Sequence, residues 1–86
     1  MKIIMKPVEM IAAHDIEGKI TPVKFKYPES DTFKVVRVER VLDRRRERIA
    51  GNHMRVFLCQ TTAGEREIRF ELKYEVNTQK WFLSKI

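Results

Sequence analysis

Six arginines crowd one short stretch: Arg37, Arg40, Arg44, Arg45, Arg46 and Arg48. Each guanidinium is a planar fork of donors that matches two phosphate oxygens, so their collective chemistry is the binding of phosphate-rich partners. Lys24 and Lys26, upstream, extend the same candidate surface if the fold brings them alongside. Glu39, Asp43 and Glu47 lie among the arginines, and the competing reading is a solvated tip neutralised by these three acids. The whole chain carries a net charge of +6, which favours attraction to polyanions. The expected partner is therefore DNA or RNA, or an enzyme that works on them.

Other chemistry is thin. Cys59 is the only cysteine, which excludes an internal disulfide, and within an apolar strand it reads as a small buried hydrophobe. His14 and His53 are far apart and neither has a second ligand at metal spacing, so no metal or cofactor is expected. The three glycines are too dispersed for a phosphate loop. Carboxylate pairs fall on outward strand faces, where water keeps them ordinary. No segment approaches the ~18 apolar residues of a membrane span. The expectation is a non-enzymatic, cytoplasmic binding module of one domain, residues 1–86, acting as a monomer or weak homodimer.

The elements that must position the arginines read as β-strands. Val23, Phe25 and Tyr27 alternate with Lys24 and Lys26. Ile68, Phe70, Leu72, Tyr74 and Val76 alternate with charged residues in the clearest strand of the chain. Met54 to Cys59 is apolar on both faces and suggests a central strand covered on both sides. Val8, Met10 and Ala12 suggest a strand beginning after Pro7, whose missing N–H suits a strand start. The phase of the alternation changes at Val35-Val36, where a β-bulge is expected, with the strand continuing to about Leu42. Asp43 to Ala50 reads as a strand extension, a loop or a single helical turn. Short linkers at residues 15–18, 28–31, 51–52, 62–65 and 76–78 favour antiparallel hairpins. The predicted fold is all-β, a small curled antiparallel sheet or SH3-like barrel of five to six strands.

Aromatic residues supply a second candidate surface. Trp81 and Phe82 are neighbours on a strand and must face opposite sides. One of them, together with Phe57, is in surplus to a single core face. The three are the candidate partner patch, against the alternative of a second covered layer.

An ordered series of residues resembles a known family. Pro22 and Phe25, then Val38, Val41 and Leu42, then Glu71, Leu72 and Tyr74, then Trp81, Phe82 and Leu83 follow its pattern. The family is one of short bacterial all-β proteins of unknown function, sometimes found with Y-family (translesion) DNA polymerases. The resemblance implies an accessory role near DNA and carries no catalytic motif.

Overall fold

The computed structural model describes residues 1–86. It contains seven strands and no helix: β1 (Ile3–His14), β2 (Ile20–Glu29), β3 (Thr32–Arg37), β4 (Arg40–Ile49), β5 (Asn52–Ala63), β6 (Arg66–Glu75) and β7 (Lys80–Lys85). All ladders are antiparallel, in the order β3-β2-β1-β7-β6-β5-β4. The all-β class is as the alternation predicts. The expected five to six strands are corrected to seven. Of the two expected forms, the antiparallel sheet is present and the SH3-like barrel is not, because no ladder joins β3 to β4 and the sheet does not close.

Two places curl the sheet. β1 pairs with β7 from Ile3 to Val8 and with β2 from Glu9 to His14, so it serves one half of the sheet and then the other. Its first half extends the strand expected to begin after Pro7. The second place is the link Val38-Glu39. β3 and β4 lie at opposite edges of the sheet, yet only two residues join them. Such a link spans roughly 11 Å at most. The two edges must therefore meet at this corner. The Val38 N–H donates to Val23 O on β2, and the Glu39 N–H donates to Gln60 O on β5. The Glu39 carboxylate then accepts from the Thr62 N–H at 2.7 Å and from the Thr61 and Thr62 hydroxyls. These bonds, led by the backbone one, hold its carboxyl below the usual range.

The predicted strand from Val35 to Leu42 is thus two strands. The phase change at Val35-Val36 is not a bulge, since β3 pairs with β2 in regular register from Lys24↔Arg37 to Glu29↔Thr32. It marks a strand about to leave one half of the sheet for the other. The bulge lies instead at Leu42, between the pairs Val41↔Cys59 and Asp43↔Leu58. Residues 43–49 continue as strand, which resolves the alternatives left open there.

Curling places the inner faces against each other. Ile20, Phe25 and Tyr27 from β2 meet Phe57, Cys59, Phe70, Leu72, Trp81 and Leu83 from the opposite half. The Phe25 and Phe70 rings, one from each half, lie 5.6 Å apart. The Phe57 and Trp81 rings meet at a tilt with centroids 5.4 Å apart, and Tyr74 meets Trp81 at 5.0 Å. β5 is covered on both sides as its sequence suggests, with Val56 and Gln60 buried on the face opposite Phe57 and Cys59. On that outer face Glu71 is also buried, bonded by the Ser84 hydroxyl at 2.8 Å and beside Arg45 at 3.4 Å and Lys85 at 3.9 Å.

Cys59 is fully enclosed, and burial pushes its thiol up to about 12. Only thiolate reacts with alkylating agents. Iodoacetamide at pH 8 is therefore expected to label the native protein at least ~100-fold more slowly than the denatured protein. Equal rates in the two states would show that the strand is open.

Candidate anion-binding site on the β4–β5 hairpin

Residues on β4 take their directions from the bulge at Leu42. Side chains alternate faces along a strand, and one extra residue exchanges the two sets. Val41 faces inward with Cys59. Without the bulge, Asp43, Arg45 and Glu47 would follow it inward. With the bulge, Arg44, Arg46 and Arg48 do so, opposite Phe57, Arg55 and His53. An unbroken alternation would have sent a mixed set of charges inward. The bulge sends three arginines.

The turn fixes their partners. Ala50 and Gly51 both have positive φ, 51° and 82°, which makes a two-residue hairpin turn of the primed type. Arg46 consequently faces Arg55 directly across the ladder, on the same side of the hairpin. Neither makes an ion pair or a side-chain hydrogen bond. Like charges placed directly opposite each other cost roughly 0.2–1 kcal/mol.

The sheet's seam opens beside this pair. β4 is not hydrogen-bonded to the start of β2, but Arg44 bridges the gap. Its Nη1 donates to Ile20 O at 2.8 Å and its Nη2 to Thr21 Oγ1 at 2.7 Å. The guanidinium carbon lies 5.4 Å from the Phe57 ring centroid. An open cavity of about 220 Å³ sits here. Five cations, Lys19, Arg44, Arg45, Arg46 and Arg55, line it with Ile20 and Phe57, and no acid does. A second cavity of about 340 Å³ continues toward the hairpin tip, sharing Arg46 and Arg55 and adding Arg48 and His53. Glu47 at its edge is occupied by Lys73 at 2.8 Å, a contact that holds its carboxyl below the usual range.

None of the three acids expected to neutralise the arginines, Glu39, Asp43 and Glu47, forms an ion pair with one. Glu39 is held by threonines and Glu47 by Lys73. Arg45 is the arginine that acquires an acid, and its partner is Glu71 on the outer face.

The eight cations singled out in the sequence fall into three groups. Arg44, Arg46 and Arg48 form the inward row. Arg40 and Arg45 belong by register to the opposite face of the same strand. Lys24, Lys26 and Arg37 share the outer face of the β1–β2–β3 half, where Lys26 pairs with Glu9 at 3.1 Å and covers the Phe33 ring. The basic residues therefore do not form one continuous face. Arg55, Lys19 and His53 join the inward row, although sequence reading passed over them. Their signal was the hairpin register, which needs the turn placed to within one residue.

The expected partner patch is also corrected. Phe57 and Trp81 are core residues, 2% and 8% exposed, because the curl brings them under β1 and β2. Phe82 is half-buried on the other face, opposite Pro7. Among the exposed apolar residues, Ile11, Phe33 and Val35 lie together on the outer face of the β1–β2–β3 half. Comparison with protein-family models, curated proteins and solved structures finds no match, so the reading of this site rests on its own geometry.

Proposed function

We propose that this chain is a non-enzymatic binding module that takes a polyanion, the backbone of a nucleic acid, along the inward row of the β4–β5 hairpin. The observation that carries the reading is Arg46 set opposite Arg55 with no acid between them. Cross-strand repulsion is a cost to folding, and such local costs concentrate at functional sites. A phosphate seated between the two forks turns the repulsion into two charge-assisted contacts. The net charge of +6 supports long-range attraction to such a ligand.

A salt series of binding to labelled DNA tests this. Each phosphate neutralised on duplex DNA adds about 0.9 to the slope of log K against log salt. The double variant Arg46→Ala/Arg55→Ala is expected to lower that slope by about two. An unchanged slope and affinity would remove the hairpin from the interface.

A second reading has its own observation. A groove of about 240 Å³, lined largely by apolar residues including Tyr27, Val36, Ile68 and Phe70, lies between β3 and the β5–β6 hairpin. β3 is also an edge strand, with no neighbour beyond it. An extended acidic segment of a partner protein, added to this edge past Lys34 and Arg37, fits both features. A complex that survives nuclease and is lost in Lys34→Glu/Arg37→Glu would favour that reading.

A further inference from the structure

Arg44 differs from the other arginines of the row because it cannot move freely. Two of its nitrogens are bonded to Ile20 O and Thr21 Oγ1, and its guanidinium carbon lies over the Phe57 ring, 5.4 Å from the centroid. It is nevertheless exposed and lines the cavity that Arg46 and Arg55 share. A planar cation held in place is therefore exposed beside two unpaired guanidiniums. Planar guanidiniums stack on nucleobases, and forked ones bind phosphates.

We infer that the site takes single-stranded nucleic acid, with one unstacked base on Arg44 and its phosphate between Arg46 and Arg55. The inference rests on the polyanion reading and narrows it. The open cavity of about 220 Å³ leaves space for a ring system beside the three arginines. In a duplex the base faces are covered by their neighbours, and a guanidinium set in a seam cannot reach them. The next rung of the row, Arg48 with His53, lies two residues on, about 7 Å along the strand. That step suits successive phosphates of an extended single strand, and the second cavity lies beside it.

Four ligands at one salt concentration test the inference: a single-stranded oligonucleotide, the same strand with abasic positions, the matching duplex, and inorganic polyphosphate. The wild-type protein is expected to bind the intact single strand about tenfold more tightly than the abasic strand. Arg44→Lys keeps the charge and removes the plane. It is expected to erase that preference, so that intact and abasic strands bind alike, with any fall in affinity the same for both strands and for polyphosphate. If Arg44→Lys does not fold, the wild-type comparison of intact with abasic strand still decides. Equal binding of intact strand, abasic strand and duplex would overturn the single-strand inference and leave the polyanion reading standing. Failure to bind any of the four, polyphosphate included, would overturn both.

Discussion

Arg46→Glu is expected to lose polyanion binding while becoming more stable than the wild-type protein. Arg46 holds no bond that the fold needs, and its ladder partner is another arginine. A glutamate there replaces a repulsive cross-strand pair by an attractive one. Each change is worth roughly 0.2–1 kcal/mol. In a domain of this size about 1 kcal/mol moves the melting temperature by ~4–8 °C, so an increase of several degrees is expected. Binding moves the other way. A charge-assisted hydrogen bond contributes about 1.5–3 kcal/mol, and a carboxylate beside a phosphate adds repulsion, so affinity should fall by more than roughly a hundredfold. Thermal melts and fluorescence anisotropy on the same sample read both quantities. Opposite movement is the signature of a residue present for its ligand. A melting temperature that fell together with affinity would make Arg46 a structural residue instead.

Phe25→Ala is expected to remove a large share of the domain's stability. Phe25 is 2% exposed and lies on β2, in the smaller half of the sheet. Its ring meets Tyr27 at 6.2 Å on its own strand and Phe70 at 5.6 Å across the interior. Removing a buried phenyl ring costs about 3–5 kcal/mol, part of it for the cavity left behind. A chain of this length has only ~4–13 kcal/mol of stability in total. Without this ring the β1–β2–β3 half keeps its ladders and loses much of its grip on the other half. Urea unfolding should show a sharply reduced midpoint, and Phe25→Leu should recover most of it. A loss below ~1.5 kcal/mol would mean that the two halves are held by the corner at Val38-Glu39 and not by their common core.

Strands were the legible part of this chain because burial on one face writes a period of two. β6 alternates Ile68, Phe70, Leu72 and Tyr74 with charges, and it is a strand over that whole length. β5 reads as apolar on both faces, and both are covered. What the sequence hid was the partner of each strand. The valines of β3 look continuous with those of β4, since nothing local distinguishes a bulged strand from one that changes sheet halves across two residues. The decision is made by Val23 O and Gln60 O, which are distant in sequence.

The site was hidden for the same reason. A turn read at Gly51-Asn52 places Arg46 opposite Phe57. The true turn at Ala50-Gly51, with alanine in the left-handed region, places it opposite Arg55. One residue of register thus decides whether the hairpin shows an arginine against an aromatic ring or an arginine against an arginine. The bulge at Leu42 is equally silent in the sequence, yet it selects which arginines turn inward. Phe57 and Trp81 looked surplus because only one apolar face was counted, and the curl supplies the second half of the core that covers them.

The most direct test of the central claim is an amide and arginine side-chain NMR titration with a short single-stranded oligonucleotide. The predicted result is a contiguous set of shifts at Lys19, Arg44, Arg46, Arg48, His53 and Arg55, with the Nε–H signals of Arg46 and Arg55 moving most. Lys24, Lys26 and Arg37 on the outer face of the other half should stay still. Shifts confined to those three, or spread evenly over every cation of the surface, would contradict the assignment of binding to the β4–β5 hairpin.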